Sequence, residues 1–234
     1  MTERKALIVM AKRPYPGRTK TRLGSLFSAQ DAADLYACFL RDALDQARAV
    51  PQAQPFAAYA PVDPETRVYF AELAPDFALI AQEGQSLGER LDHVLSECLN
   101  MGYHHVAAMN SDSPTLPLAY LRLSFERLED PGTDVVLGPC EDGGYYLIGW
   151  KKACSPLVLD VEMSTDHVLD DTLRIAEAEN LRVSLLPTWY DVDDLDDLSR
   201  VWHELRQENF PTSSTGQYLS TKPLLLDSVL AARR

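Results

Sequence analysis

The stretch that decides the fold is KALIVMAKRPYPGRTKTRLG, residues 5–24. Residues 5–11 form a short apolar run with β-branched members that ends at a Pro-rich loop, which is typical of a buried strand. The loop that follows carries five cations and no acid between residues 12 and 22, although the whole chain has a formal net charge of −13. The five are Lys12, Arg13, Arg18, Lys20 and Arg22. A strand that opens into such a loop indicates a site for an anion.

Strand and helix patterns alternate along most of the chain. Helical spacing follows Ser28, a candidate N-cap, and the S-x-x-E capping box at Ser86 predicts a helix that ends near Asn100. The strand patterns at 134–138 and 145–150 are separated only by PCEDGG, too short for a crossover helix, so we expect an antiparallel pair. The other predicted strands are 55–60, 77–81, 103–109 and 182–187, and the other predicted helices are 64–73, 117–128, 164–179 and 194–207. The pattern predicts an α/β fold, a three-layer α/β/α sandwich with a mixed, mostly parallel sheet.

Length and composition favour one domain with a short tail. The chain has 234 residues, 46% of them hydrophobic, which suffices for a single core, and we expect one catalytic domain over residues 1–208. Within residues 209–234 we expect a polar linker and then a short amphipathic helix, which either folds back or contacts a neighbouring subunit in a homodimer. The apolar run near the N-terminus is too short for a signal peptide or a membrane span, so a cytoplasmic location is expected.

Charge distribution, cysteine spacing and missing motifs exclude several classes of protein. Cations confined to one loop do not provide the extended basic surface of a nucleic-acid binder, so we expect a small-molecule partner and no nucleic acid. The spacing of the four cysteines fits neither a zinc pattern nor a dense disulfide framework, which favours reduced thiols. The sequence contains no GxSxG, GxGxxG or Walker pattern, so a serine hydrolase, a dinucleotide site and a P-loop site are not indicated.

Three charged loops follow predicted strands. They are the basic loop 12–27, NSDSPTLP at 110–117 and YDVDDLDDL at 190–198. Because ligands of open α/β sheets bind beyond the carboxyl ends of the strands, we expect these loops to meet at one edge. Lysine and arginine would hold phosphate oxygens, while Asp112 and Asp193 would supply hard oxygen ligands for Mg²⁺ or Mn²⁺.

Each of these loops also has a plain structural explanation. A cationic loop is often only a solvated surface, although the two prolines and the glycine of this one stiffen it. Asp112 could cap the helix after Pro117, and we explain Asp194 and Asp197 as the N-cap and N3 residues of a helix.

The segment GPCEDGGYYLIG, residues 138–149, is a further candidate. Gly143 and Gly144 at a hairpin would let a ligand approach the backbone closely, and a plain turn would need only one glycine. Asp142 beside them is a candidate base.

Six ordered motifs resemble those of a bacterial family of nucleotide-diphospho-sugar transferases, or glycosyltransferases, of GT-A fold. They are KRPYPGRTKTRL, QSLGERL, NSDSPTLP, LGPCEDGGYYLIGW, EMSTDHVLDDTL and WYDVDDLDDL. The resemblance extends from residue 5 to about residue 205. More distantly, the chain is similar to the molybdenum-cofactor and phospholactate guanylyltransferases. Membership implies a Rossmann-like sandwich, a nucleotide over the first strand and a divalent metal.

Carried over by motif, the resemblance implies that Lys12, Lys20 and Arg22 contact phosphates and that Asp112 and Asp193 bind the metal. The full set of predicted nucleotide-binding residues is Lys12, Arg13, Lys20, Arg22, Gly143 and Gly144, with Lys20 and Asp142 as predicted catalytic residues. The sequence departs from the family pattern in two places: Asp194 and Leu195 replace Thr and Pro of the closing motif, and Asn110 stands where Gly is common.

Two transfer reactions and one non-catalytic function remain open. The first is metal-dependent glycosyl transfer from a nucleoside-diphosphate sugar to a small-molecule acceptor. The second is nucleotidyl transfer, in which an acceptor phosphate attacks the α-phosphate of a nucleoside triphosphate and pyrophosphate leaves. Both place the same metal and basic loop against a pyrophosphate-like group, so the sequence does not separate them. The third is a catalytically silent nucleotide-binding module, which the candidate carboxylates argue against.

Overall fold

The computed structural model describes residues 3–207 and 213–222. The chain divides into two compact units. Unit 1 comprises Met1–Arg13, Gln46–Asn110 and Leu116–Tyr190, and unit 2 comprises Pro14–Asp45, Ser111–Thr115 and Asp191–Arg234. Each unit is described in turn.

Unit 1 is built on one sheet. Its strands, within the described residues, are β1 (Lys5–Lys12), β2 (Ala53–Ala60), β3 (Ala78–Ala81), β4 (His105–Met109), β5 (Val135–Pro139), β6 (Tyr145–Trp150) and β7 (Val183–Leu185). Their order across the sheet is β3-β2-β1-β4-β6-β5-β7. Strand β6 runs antiparallel to β4 and β5, and the other neighbouring pairs are parallel. The carboxyl ends of the six strands that run in the same direction therefore lie along one edge of the sheet. The antiparallel pairing of β5 and β6 confirms the prediction from the short PCEDGG connection.

Helices of unit 1 cover both faces of its sheet. In the two units together, the helices of the described residues are α1 (Ala29–Arg48), α2 (Pro64–Leu73), α3 (Leu87–Asn100), α4 (Leu118–Glu129), α5 (Pro156–Leu159), α6 (Val168–Ala178), α7 (Leu195–Gln207) and α8 (Ser214–Ser220). Alternate residues of β4 point to opposite faces. Val106 and Ala108 pack in a core with residues of α3, α5 and α6. On the other face, Tyr59 of β2 contacts Phe70 of α2, and α4 packs against β4 and β5. Unit 1 is thus a three-layer sandwich, and the predicted fold class is confirmed.

Local capping signals place several helix starts. The Ser86 side chain accepts a hydrogen bond from Glu89 N, and the Glu89 carboxylate accepts one from the Ser86 backbone N–H, which completes the predicted capping box of α3. Asp63 caps α2 ahead of Pro64. Ser28 Oγ accepts from Asp31 N at 3.1 Å, as expected of the N-cap of α1.

The structure differs from the predicted elements between residues 155 and 168. Helix α5 has only four residues, too few for an apolar period of 3.6 to show in the sequence. Helix α6 begins at Val168 and not at Ser164, because Ser164 has φ +69°, a left-handed conformation that a helix cannot contain.

The described part of the C-terminal tail folds back within unit 2. Helix α8 contacts α7, and Tyr218 donates from its hydroxyl to the main-chain oxygen of Asp31 at 3.1 Å. The sequence predicts a linker and a short amphipathic helix within residues 209–234, of which residues 209–212 and 223–234 lie outside the described residues.

Two further features concern the chain as a whole. Each of the four cysteines is a free thiol, as their spacing predicts. None of the helices in residues 3–207 and 213–222 is long and apolar enough to cross a membrane.

Candidate functional site

Lys20 is the centre of a charge cluster in unit 2. Its side chain is only 6% exposed, and its ammonium contacts Asp112 Oδ1 and, at 3.0 Å, Asp193 Oδ1. Arg22 approaches the second carboxylate oxygen of Asp193 at 3.7 Å from a largely exposed position. The structure therefore brings together four of the predicted site residues from three remote segments of the chain.

The backbone of Lys20 is unusual for a residue with a side chain. It has φ +48° and ψ +41° and lies at the start of a 3-10 turn, Thr21–Ser25, in which Leu23 N bonds Lys20 O at 3.0 Å. The left-handed conformation costs a non-glycine residue about 1 kcal/mol. Such strain concentrates at functional sites. The buried Leu23 anchors the turn, and the ammonium of Lys20 lies 5.9 Å from the ring centroid of Phe39.

Two hydrogen bonds join the acidic segments that contain Asp112 and Asp193. Val192 N donates to Asp112 O at 2.9 Å. Ser113 Oγ donates to Asp191 Oδ1 at 2.6 Å. These two bonds fix the backbones on which Asp112 and Asp193 stand. Sequence reasoning missed Ser113 and Asp191 as partners, although both flank the predicted carboxylates.

The remaining acids of the 190–198 segment serve α7. Asp194 Oδ1 accepts from Asp196 N at 2.8 Å and Asp197 N at 3.1 Å, which makes Asp194 the N-cap. Asp197 in turn accepts from Asp193 N at 2.9 Å and Asp194 N at 3.1 Å. The helix-capping explanation of Asp194 and Asp197 is confirmed, and the Asp193 carboxylate is the one directed to Lys20.

The other predicted cations lie in unit 1. Lys12 is exposed at the end of β1. Arg13 donates from its backbone N–H to Ala60 O at 2.8 Å. Its guanidinium lies 3.4 Å from Glu65 and 5.5 Å from the ring centroid of Tyr69. Glu65 partly offsets the charge of Arg13, and phosphate contacts of both cations stay a prediction.

The predicted hairpin residues also lie in unit 1. Asp142 is exposed, and its Oδ1 accepts from Gly144 N at 3.0 Å. Gly143 has φ +87°, and a Cβ there would clash with the main-chain oxygen of Asp166. Leu169 N donates to Gly143 O at 2.9 Å. Gly143 is therefore required by the chain segment that packs on the hairpin, and its predicted contact with a ligand stays a prediction.

Comparison with protein families assigns this chain. The family model DUF2064, described as "Uncharacterized protein conserved in bacteria", matches residues 43–165, more than half of the chain. The chain belongs to the DUF2064 family. The matched region contains Asp112 and the 138–149 hairpin, whereas the Lys20 loop and Asp193 lie outside it. None of the curated proteins matches this DUF2064 chain.

Solved structures extend the likeness over the DUF2064 chain. A proposed nucleotide-diphospho-sugar transferase from Desulfovibrio desulfuricans is 31% identical, with a TM-score of 0.90 over 97% of this chain and 98% of that one. The resemblance inferred from the motifs is thereby confirmed.

Two more distant structures share the fold alone. CMP:2-keto-3-deoxy-manno-octonic acid synthetase complexed with CTP is 13% identical, with a TM-score of 0.56 over 88% of this chain and 99% of that one. Rv0371C of Mycobacterium tuberculosis in complex with manganese is 19% identical, with a TM-score of 0.54 over 87% of this chain and 100% of that one.

Electrostatics hold the ammonium of Lys20 in its charged form. Burial by itself disfavours a charge on this side chain, but the carboxylates of Asp112 and Asp193 outweigh burial and raise the pKa of Lys20 above its ordinary value. Lys20 is therefore a permanent positive charge at any physiological pH.

The donor set of the cluster suits a divalent cation that also binds phosphate. In the described part of the chain, no group of three or more His, Cys, Asp or Glu side chains could hold a metal. Asp112 and Asp193 nevertheless present two hard oxygens that converge on one point, and their side chains are 35% and 49% exposed. Mg²⁺ is usually held by one or two carboxylates, with substrate phosphates and water completing its shell. The residues fit that arrangement.

Proposed function

We propose that this protein is a metal-dependent transferase that acts on a nucleotide-activated substrate, with residues 1–208 as its catalytic domain. The observation that carries the proposal is the convergence of Lys20 with Asp112 and Asp193 from three separate segments. Ion pairs that are open to water contribute little to stability, so holding the segments together does not by itself explain these partly exposed carboxylates. These carboxylates stay reachable by a ligand.

The residues of the cluster divide the work of binding a diphosphate. Asp112 and Asp193 would hold Mg²⁺ or Mn²⁺, which when bound supplies Lewis-acid stabilisation of the charge that develops on the leaving group. Lys20 and Arg22 would bind phosphate oxygens, where fixed positive charges favour the transition state over the ground state. Lys12, Arg13 and the Gly143–Gly144 turn are the proposed further contacts of the nucleotide.

Glycosyl transfer is the first candidate reaction, supported by the 31% identical relative, a proposed nucleotide-diphospho-sugar transferase. A hydroxyl oxygen of the acceptor forms a bond to the anomeric carbon. The bond from that carbon to the diphosphate oxygen breaks, and its electron pair leaves with the nucleoside diphosphate. Asp142 is the proposed base that takes the hydroxyl proton.

Nucleotidyl transfer is the second candidate, favoured by the shared fold with a synthetase complexed with CTP. Here an oxygen of the acceptor bonds to the α-phosphorus of a nucleoside triphosphate. The bond from that phosphorus to the bridging oxygen breaks, and pyrophosphate leaves with the electron pair. The same cations would stabilise this leaving group.

A product assay separates the two reactions. The purified protein is incubated with Mn²⁺ or Mg²⁺ and a panel of sugar nucleotides or nucleoside triphosphates, each with a mixture of small hydroxylated and phosphorylated acceptors. Release of a nucleoside diphosphate supports glycosyl transfer, and release of pyrophosphate supports nucleotidyl transfer.

The matched control for this assay is Asp112→Asn, which keeps the size of the side chain and removes its charge. Product formation that is equal in the variant would contradict the proposed site. If no nucleotide of the panel raises the Tm of the protein in the presence of Mn²⁺, the transferase proposal itself is wrong, because a ligand that binds the folded state must stabilise it.

A further inference from the structure

The Lys20 ammonium fills the space that the proposed metal would need. Asp112 Oδ1 and Asp193 Oδ1 both contact the same nitrogen atom. A cation held by both oxygens would have to lie between them, where this nitrogen lies. The ammonium and a divalent cation cannot share the gap, since they would overlap and repel each other.

The ammonium is also a good electrostatic substitute for a metal. It is buried, charged and paired with two carboxylates, so neither carboxylate is left facing another negative charge without compensation. The free protein therefore has no unbalanced pair of carboxylates to drive metal binding.

We propose that Lys20 acts as a place-holder, occupying the metal position in the free protein and leaving it when a polyphosphate offers the ammonium another anionic partner. The inference rests on the metal-dependent function proposed above. Metal and polyphosphate then bind in a coupled manner, and the coupling is reciprocal: each tightens the binding of the other by the same factor.

Arg22 provides the internal contrast. It also approaches Asp193, at 3.7 Å, but its side chain is 76% exposed, whereas that of Lys20 is buried. Loss of Arg22 would remove the same formal charge as loss of Lys20 without emptying the gap between the two carboxylates. Comparing the loss of Lys20 with the loss of Arg22 therefore distinguishes a place-holder role from a general effect of a nearby positive charge.

The test is a titration with Mn²⁺ alone, with free Mn²⁺ followed by electron paramagnetic resonance. Lys20→Met, which keeps the length of the side chain but removes its charge, is expected to bind Mn²⁺ roughly 10- to 100-fold more tightly than the wild type. Arg22→Met is expected to change the affinity by less than about twofold. The double variant Lys20→Met with Asp112→Asn is expected to lose the gain. If Lys20→Met binds Mn²⁺ no more tightly than the wild type, or if Arg22→Met gains as much, the place-holder role is wrong.

If Lys20→Met does not fold, a second measurement on the wild-type protein tests the same proposal. In the ¹⁵N-labelled wild type, saturation with Mg²⁺ is expected to shift the Nζ resonance of Lys20 together with the amide resonance of Asp193. A shifted Asp193 amide with an unchanged Lys20 Nζ resonance would overturn the proposal. Neither measurement uses a nucleotide, so both test the role of Lys20 independently of the product assay. An active transferase in which Lys20 is not a place-holder would fail these measurements and pass the product assay, and a place-holder in a protein without transferase activity would give the opposite result.

Discussion

Two carboxylate clusters in unit 2 join segments that are remote in the sequence: the closed cluster, which is Asp42 with its donors, and the open cluster, which is Asp112 and Asp193 with Lys20. They differ in how far water reaches them. At the first, Asp42 is 5% exposed and accepts hydrogen bonds of 2.7 and 2.9 Å from the first backbone N–H groups of α8. At the second, the partly exposed side chains of Asp112 and Asp193 share the ammonium of Lys20. The two clusters use the same kind of side chain for different purposes.

The difference lies in the partners. The backbone donors to Asp42 are main-chain groups at a helix start, which are held in place by the helix itself. The donor to Asp112 and Asp193 is the end of a long side chain, which can rotate away while the fold stays intact. A buried carboxylate with fixed partners stabilises structure. An exposed pair with a movable partner is suited to exchange that partner for a ligand.

The largest expected effect comes from removing a carboxylate of the open cluster. Asp112→Asn is expected to lower kcat/KM of the transfer reaction by at least about 1000-fold, because the proposed metal contributes several kcal/mol to the transition state. Steady-state kinetics with the donor found in the product assay measure this. The Tm should change less than it does on replacement of Asp42, and a loss of activity that merely follows a loss of folded protein would remove the distinction between the clusters.

A smaller effect is expected from the bond that braces the open cluster. Ser113→Ala removes the hydroxyl that bonds Asp191 and should lower kcat/KM by about 10- to 100-fold, as is typical when a residue that orients a metal ligand is lost. Ser113→Thr, which retains a hydroxyl, should recover most of the activity. Ser199→Ala serves as a control, since the Ser199 hydroxyl donates to Leu195 O inside α7. Equal losses for Ser113→Ala and Ser113→Thr would show that the bond to Asp191 does not matter.

At the closed cluster, the expected effect is on stability. Asp42→Ala removes two charge-assisted hydrogen bonds and should lower the free energy of unfolding by about 2 kcal/mol, or the Tm by roughly 4–8 °C for a chain of this size. Differential scanning calorimetry measures the change. The kcat/KM at 25 °C is expected to stay within about twofold of the wild type, and a loss comparable to that of Ser113→Ala would contradict a purely structural role.

The smallest expected effect concerns the pH dependence of stability at the ion pair between Lys222, just after α8, and Asp31. The hydrogen bond from Lys222, with a contribution from Ser28, lowers the pKa of Asp31 to about 2. A lowered pKa means that the folded state favours the carboxylate, so this stabilisation is present above the ordinary pKa near 4 and is lost as the pH falls towards 2. Lys222→Met should cost about 0.5 kcal/mol at pH 6. The difference in Tm between the two proteins should shrink as the pH falls through 2 and vanish below it, and a difference that persists below pH 2 would exclude the ion pair as its cause.

Much of the fold could be predicted because its signals are local. Three signals determine structure within a few residues of where they occur in the sequence. They are the apolar run of β1, the capping box at Ser86 and the short PCEDGG connection. The start of α6 could not be predicted, since the left-handed Ser164 has no pattern in the flanking sequence. Helix α8 begins where its N–H groups meet Asp42, a partner 172 positions away in the chain.

The charged residues of the candidate site could be predicted from the sequence, but the contacts among them could not. The basic loop and the two acidic loops stand out against a net charge of −13, and alternation of strands and helices predicts that they converge. That Lys20 pairs with the carboxylates themselves depends on the left-handed turn at Lys20 and on the Ser113–Asp191 brace. Both arise from tertiary contacts, which spacing in the sequence does not report.

Metal binding between Asp112 and Asp193, with displacement of Lys20, is tested most directly by anomalous diffraction at the manganese edge. The crystals are soaked with Mn²⁺ and the nucleoside diphosphate that most raises the Tm. We expect one strong anomalous peak between Asp112 and Asp193, with the Lys20 ammonium moved from that position to a phosphate oxygen. A peak at any other place, or a bound nucleotide with Lys20 still paired to both carboxylates, would contradict this expectation.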